Sequence, residues 1–286
     1  MHKKIIPAFA AVTTSSAARL QEFHLQQLAI LVGIIKQHVR NYMPDIFSLI
    51  TELWDNQTLQ LPIVTLIEAL GKALDAEFKP FLPTILPLVL RVFDGELTEK
   101  RITTQIKIFD AFLTFGANIE EYLHLVIPII VKSYERQEVV ERQDSLTALR
   151  KRAIQTIDGL SRRVNFSDHA SRIIHPLVRV LETGNNELRM AVMDTLCSLV
   201  IQLGSDFAIF VPTINKVGMG SYLLKRHSYI HFQCLLRNRI PHPKYENLIS
   251  KLLNGERLPQ EAGVLELLFV FSNLVVDFLL IHYQIE

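Results

Sequence analysis

The feature that most constrains the fold is an internal repeat of about forty residues. Five similar segments can be aligned, each with a short polar lead, an aromatic or aliphatic anchor and a helical apolar pattern. They span residues 38–55, 77–94, 118–135, 169–182 and 205–217. The copies align on Pro44, Pro83, His124, Pro176 and Pro212, which gives steps of 39, 41, 52 and 36 residues. The aligned prolines are predicted to lie early in a helix, where a missing N–H costs little.

A second helical stretch precedes each of these segments. These stretches cover residues 18–37, 61–74, 99–115, 145–164 and 186–203. In the last of them, apolar residues recur at spacings of three and four, as on one face of an α-helix. The opening letters KKIIPAFAAV resemble one more copy of the second helix. The repeating unit is therefore a helix pair, present about five and a half times.

A helix pair with this period is typical of HEAT and armadillo repeats. The predicted fold class is all-α, a right-handed α-solenoid of antiparallel helix pairs. One pair cannot bury its apolar face alone, so stacked pairs are expected to share a continuous core. The longest step between repeats, 52 residues, spans the charged connector around 136–146, which is predicted to be an exposed loop or an extra helical turn.

Composition excludes several classes of site. The net charge is +1, from 30 basic and 29 acidic residues, which argues against a bulk electrostatic binder of nucleic acid or anionic membrane. Two cysteines cannot form a disulfide framework or a four-cysteine zinc site. Only 11 glycines are present, which argues against phosphate-cradling loops. No cofactor or metal is predicted.

Several stretches resemble one family in their loops as well as in their helical period. They read EFKPFLPTILPLVLRVF, FGANIEEYLHLVIPIIVK, RVNFSDHASRIIHPLVRVL, MDTLCSLVIQLGSDFAIFVPTINKV and RNRIPHPKYENLISKLLNGE. They resemble the HEAT-repeat region of the target-of-rapamycin (TOR) serine/threonine kinases, which are related to phosphatidylinositol 3-kinases. The resemblance covers most of residues 1–217 and resumes over about 235–260.

The resemblance implies a scaffold segment that lacks the kinase domain. The chain contains no G-x-G-x-x-G loop, no H-R-D and no D-F-G; the letters at 93–95 read F-D-G and are predicted to end a helix. ATP binding and catalysis would belong to the parent protein. The implied partners are Raptor-like and Rictor-like subunits and a second TOR chain. The implied location is the cytoplasm, with the nucleus or endomembranes reached through partners.

Two segments depart from the family pattern. Residues 218–234 interrupt it. They start with Gly-Met and end with Phe-Gln-Cys, which can be encoded with a donor-like GGTATG and an acceptor-like TTTCAG, so a retained intron read in frame is one hypothesis. Residues 235–260 resume the family-like helical sequence, and 261–286 form an unrelated apolar tail without Lys or Arg. The tail fits translated noncoding sequence, a helix packed on the last repeat, or a membrane span over 264–283. A span is disfavoured because its polar residues include Glu266 and Asp277.

A possible metal site and a possible phosphate-binding patch lie in the insert and just after it, and the alternative for the metal site is that its residues are incidental. His227, His231 and Cys234 would share a helical face, as zinc ligands can, but no fourth ligand has a suggestive spacing. The basic residues after 224 could bind phosphate or nucleic acid, although a solvated edge between repeats is favoured. These basic residues are Lys225, Arg226, Arg237, Arg239 and Lys244.

Other conspicuous residues have a structural interpretation. Cys197, Phe47 and Trp54 are predicted to lie in the core. His124 and His175 are expected near inter-helix turns, with His175 capping or packing. The run Arg150, Lys151 and Arg152 is predicted to be a solvent-exposed face that weakly mimics a nuclear localisation signal.

The sequence leaves three functional classes open. The favoured class is a non-catalytic TOR scaffold; the alternatives are a free-standing HEAT-repeat adaptor of the transport-receptor or phosphatase-scaffold type, and an enzyme. The basic, partly apolar N-terminus could imitate a signal peptide, but a helix entering the fold partway is preferred. For a scaffold, charge reversal at Glu120 or Arg172, both predicted to be exposed loop residues, should weaken partner binding.

Overall fold

The computed structural model describes residues 5–15, 17–136 and 143–214, and in these ranges the chain is all-α with no strand. It contains ten α-helices longer than eight residues in the described part of the chain. They are α1 (Ile5–Ser15), α2 (Ala18–Ile35), α3 (Met43–Leu53), α4 (Gln60–Leu74), α5 (Leu82–Leu90), α6 (Glu99–Phe115), α7 (Leu123–Tyr134), α8 (Gln143–Ser161), α9 (Ala170–Thr183) and α10 (Asn186–Leu203). A final turn of helix occupies 211–214.

The helices stack in two layers. The even-numbered helices form one layer, in which α2 packs on α4, α4 on α6, α6 on α8 and α8 on α10. In the other layer, α1 packs on α3 and α7 packs on α9, while α7 also contacts α8 and α9 contacts α10. Each unit is thus an even-numbered helix followed by an odd-numbered one. The predicted α-solenoid of helix pairs is confirmed.

The first helix of each unit (α2, α4, α6, α8 and α10) has nearly the predicted bounds, because local signals set the helix ends. Thr98 and Asn185 cap α6 and α10, each accepting a hydrogen bond from a backbone N–H three residues ahead. The predicted stretches 99–115 and 186–203 agree with α6 and α10 to the residue, and the other three agree within three residues at either end.

A recurrent turn joins the two helices of most units. The residue that ends the first helix has a positive φ of 47° to 55° at Lys36, Asp75, Gly116 and Gly204. A seven-residue 3-10 turn begins at that residue in each case. The turn brings one apolar anchor into the core three residues later, and the anchors of these turns are fully buried: Val39, Phe78, Ile119 and Phe207. The anchor in the fourth unit is Phe166, which is also fully buried.

These anchors correct the predicted repeat register in the fourth unit. Pro44, Pro83, His124 and Pro212 are each the second residue of their helix and lie five residues after an anchor. The matching position after Phe166 is Ser171 rather than Pro176, which lies inside α9. The residue numbers then give steps of 39, 41, 47 and 41. The alignment on Pro176 was wrong. This helix contains a proline beyond its first turn, and that proline resembled the helix-start prolines of the other units.

One hydrophobic core runs through all the units, from Ile6 to Ile214. Aromatic rings connect neighbouring units. Phe78 stacks on Phe115 with ring centroids 5.1 Å apart, and the ring centroids of Phe47 and Phe81 are 4.8 Å apart. Each unit buries side chains against its neighbours, so its stability depends on them. The core also contains Trp54, as predicted.

One described segment is long and apolar enough to cross a membrane by length and composition, namely Asn186–Ile214. It comprises α10 and the turn after it, and 44% of its apolar window is buried inside the protein. Its apolar residues pack against α8 and α9. The predicted connector around 136–146 lies mostly outside the described residues, as do the insert 218–234, the continuation 235–260 and the tail 261–286.

Candidate interaction surface

An open groove of about 650 Å³ lies along α7 and reaches α9. Its lining comes mainly from α7 and the two residues after it: Ile127, Pro128, Val131, Lys132, Glu135 and Arg136. Arg172, the third residue of α9, completes it. The groove therefore lies on the odd-numbered layer, where two consecutive units meet.

The α7 side of this groove combines apolar and cationic residues. Leu125 has 42% of its surface exposed. Pro128 and Lys132 are exposed three and seven residues further on, so the three side chains share one helical face. Val131 and Ile127 lie behind them in the groove. The surface thus has an apolar strip that ends in a cation.

The charges around the groove are mainly positive. Arg179 holds Glu135, the acidic residue of the lining, by donating a 2.9 Å hydrogen bond from its Nε atom to the carboxylate. Among the described residues, Lys132 and Arg172 form no ion pair. Arg136 donates a hydrogen bond to the Phe93 carbonyl at 3.3 Å.

Arg136 has an unusual environment for an arginine. Burial lowers the pKa of the Arg136 guanidinium below its ordinary value, and the charge of nearby Arg101 lowers it further. Arg101 itself donates to the Val92 carbonyl at 2.8 Å rather than to a carboxylate. The lowered pKa still leaves Arg136 charged at neutral pH, so two arginine charges lie close together here.

The floor of the groove is held by hydrogen bonds between units. The hydroxyl of Tyr134, which is fully buried, donates to the Ile173 carbonyl at 3.0 Å and joins α7 to α9. Burial raises the pKa of this phenol well above 10, with a smaller contribution from Glu135. Arg150 of α8 donates to the Tyr134 carbonyl at 2.9 Å. The groove is therefore preformed by fixed helices.

The basic run at 150–152 differs from its prediction. Arg150 is only 5% exposed, so it is not part of a solvent-exposed face. Lys151 pairs with Glu187 at 2.5 Å, and the Nε atom of Arg152 lies 2.6 Å from Asp110. All three residues face neighbouring helices because this part of α8 lies between two units, which the charge of the run alone does not reveal.

The remaining predicted positions divide into core, surface and undescribed residues. Cys197 is buried, and burial raises the pKa of its thiol to about 12, so it is a core residue as predicted. Phe47 is half-buried at the edge of the core. His175 is exposed in the middle of α9 and packs edge-on against Phe210, so its packing role is confirmed and its place near a turn is wrong. His124 is exposed at the start of α7.

The structure brings no metal-binding group together in the part of the chain that it describes: no three His, Cys, Asp or Glu residues are placed to hold an ion there. His227, His231 and Cys234 lie outside the described residues. The same holds for the basic residues Lys225, Arg226, Arg237, Arg239 and Lys244. The zinc and phosphate hypotheses for these positions stay predictions.

Sequence reasoning singled out Arg172 but missed Lys132, Arg136 and Leu125. Arg172 was predicted to be a loop residue and lies instead in α9, while Glu120 lies in a 3-10 turn and its carboxylate accepts the Asn165 N–H at 3.2 Å. An exposed leucine at position 125 could have been found from the helical period alone. The proximity of Arg136 to Arg172 could not, because it depends on how two units stack.

Comparison with known proteins assigns the chain to a family. The chain is 43% identical over 264 residues to serine/threonine-protein kinase tor1 of Schizosaccharomyces pombe, a match that covers 92% of this chain. It belongs to the TOR kinase family. It is also 39% identical to TOR2 of Saccharomyces cerevisiae over 90% of the chain, and 36% identical to mTor of Drosophila melanogaster over 91%. No family model matches the chain.

The TOR relatives are far longer than this chain. The matches cover 10%, 9% and 10% of those three proteins respectively. The chain therefore corresponds to one segment of a TOR protein, and its groove is a feature of that segment.

Proposed function

We propose that this segment is a non-catalytic HEAT-repeat scaffold of a TOR protein kinase. It presents its helical surface to protein subunits of a TOR complex, of the Raptor-like or Rictor-like kind, or to a second TOR chain. The kinase activity, ATP binding and role in nutrient and growth signalling belong to the complete protein. The cytoplasm is the proposed location.

The observation that carries this proposal is the uninterrupted core that joins all the described units. Stacked units of this kind form an extended and mechanically continuous body, which is how repeat proteins present long binding surfaces. The membership of the TOR family supplies the context of a large kinase. The groove along α7 supplies a recessed, partly apolar place that a partner could fill.

The test is retention of purified TOR-complex subunits by the immobilised 286-residue chain. Charge reversals Glu120→Lys and Arg172→Glu, combined in one variant, are expected to lower retention. A conservative core change such as Ile154→Val, at a fully buried site, serves as the control. It should cost about 1 kcal/mol of stability without lowering retention.

Two results would contradict the proposal. Undiminished retention after several surface reversals at separate places on the solenoid would remove the scaffold function. Phosphate transfer by the purified chain, abolished by a point substitution within it, would show an active site and replace the scaffold with an enzyme.

A further inference from the structure

We infer that the groove along α7 binds an acidic peptide segment that carries apolar side chains. This inference rests on the proposed scaffold function and names the chemistry of one partner segment. An apolar floor and two rim cations that form no ion pair with the described residues support it.

Glu135, the acidic residue in the lining of the groove, is already paired with Arg179. Lys132 and Arg172 are exposed on two different helices and make no ion pair among the described residues. Arg136 is bound to a carbonyl oxygen, and the neighbouring Glu135 is bound to Arg179. An incoming carboxylate would therefore not have to displace any acid of the described residues from Lys132 or Arg172.

The apolar floor makes a simple anion a poor occupant. Ile127, Pro128 and Val131 line the groove, and Leu125 extends the same surface by one helical turn. Leu125 and Lys132 are seven residues apart, which corresponds to about 10 Å along the helix axis. A peptide can place an apolar side chain against this strip and a carboxylate against the rim at the same time, whereas phosphate can use only the rim.

The fit also favours a preorganised site over one that forms on binding. The Tyr134 hydroxyl and Arg150 tie α7 to α9 and α8 beneath the groove. Groups that are already fixed lose little conformational entropy when a partner binds. Positive charge at the rim would also speed the encounter with an acidic segment, with a rate that falls as salt rises.

The experiment measures binding of a labelled peptide to the complete 286-residue chain by fluorescence anisotropy. The probe is a twelve-residue peptide with five Glu residues and with Leu and Phe four positions apart. The double variant Lys132→Glu and Arg172→Glu is expected to raise the Kd of this probe about tenfold or more. Leu125→Ser should weaken binding through the apolar strip, with both charges left in place.

The matched control is Arg19→Glu combined with Arg162→Glu. Arg19 lies on α2 and Arg162 directly follows α8; both are exposed and outside the groove, and the net charge changes by the same amount. This control should leave the Kd close to that of the unmodified chain. Thermal unfolding of every variant, followed by circular dichroism, separates loss of the groove from loss of the fold.

Four outcomes would overturn the inference. One is an equal Kd for the control and the groove variant; another is equal binding of a peptide whose Leu and Phe are replaced by Ser. A third is no binding of the probe by the unmodified chain. The fourth is binding only after Glu138→Gln and Glu141→Gln, which would make the chain's own segment the occupant. If the chain retains TOR-complex subunits but does not bind the peptide, the proposed scaffold function stands and only the inferred peptide site in the groove is refuted.

Discussion

The Nζ atom of Lys107 on α6 lies 2.5 Å from the Oε2 atom of Glu68 on α4, so a largely buried carboxylate joins the first helices of two consecutive units. Lys72 pairs with the other oxygen of the same carboxylate at 2.5 Å. The side chain of Glu68 is 8% exposed, whereas those of Lys72 and Lys107 are 64% and 27% exposed. A single carboxylate thus pairs with two lysines at the boundary between units.

Substitution of this acid should weaken the solenoid. We expect Glu68→Gln to lower the free energy of unfolding by about 2 kcal/mol, because two charged hydrogen bonds are lost at a site with little access to water. Urea denaturation at pH 7 measures the change. Glu52→Gln, at an exposed carboxylate on α3, is the control and should change stability little. Equal effects of the two substitutions would show that the Glu68 pairs contribute nothing.

The same carboxylate predicts a pH dependence. Burial alone would raise the pKa of Glu68, but hydrogen bonds from Lys107 and Lys72 outweigh it and lower the pKa below the ordinary value of 4.5. A carboxyl with a lowered pKa in the folded state stabilises the fold above its unfolded pKa. The difference in stability between the unmodified chain and Glu68→Gln should be constant near neutrality and shrink as the pH falls below about 4.5. A difference that is unchanged at pH 3 would contradict this assignment.

Two glycines with open space around them should respond to alanine in opposite directions. Gly33 lies inside α2 and Gly204 ends α10, and neither has an atom within 4 Å of the place where a Cβ would be added. Gly33→Ala should stabilise the chain by about 0.5–1 kcal/mol, because alanine has the better helix propensity. Gly204→Ala should destabilise it by about 1–2 kcal/mol, because its φ of 55° disfavours any Cβ. Thermal unfolding gives both signs, and two changes of the same sign would refute the explanation.

The Cys197 thiol should be nearly inert in the folded protein. Burial, with smaller contributions from Asp194 and Asp158, raises its pKa to about 12. The thiolate is the reactive form, so at pH 8 a disulfide reagent should react about a thousandfold more slowly with the folded chain than with the chain in urea. The measurement uses Cys234→Ser, which leaves Cys197 as the single thiol. Rapid reaction in the absence of urea would mean that α10 is not packed as described.

Removal of the Tyr134 hydroxyl should loosen the boundary between α7 and α9. We expect Tyr134→Phe to cost about 1 kcal/mol, because its hydrogen bond to the Ile173 carbonyl is lost inside the core. Because its pKa is raised, the Tyr134 hydroxyl stays protonated to a higher pH in the folded state than in the unfolded state. Stability should therefore fall as the pH rises above about 10, and fall less in Tyr134→Phe. Identical alkaline unfolding of the two chains would contradict this account.

Much of the fold could be predicted from the sequence because its signals are local. Capping residues and a helical apolar period set the bounds of α6 and α10, and both depend on neighbours within a few residues. The spacing of the repeats then predicted stacked pairs. The fourth unit was misaligned because Pro176 resembled the marker prolines, and only the burial of Phe166 identified the matching position.

The groove and the role of the 150–152 run required the tertiary structure. In the sequence, Arg150 is one of three consecutive basic residues, yet it alone is almost fully buried, where it donates to the Tyr134 carbonyl. Likewise, 36 residues separate Arg136 from Arg172, and they share a groove only because two units stack. Helix formation is decided by short-range periodicity along the chain. Which cations remain unpaired at a surface is decided by contacts between residues far apart in sequence.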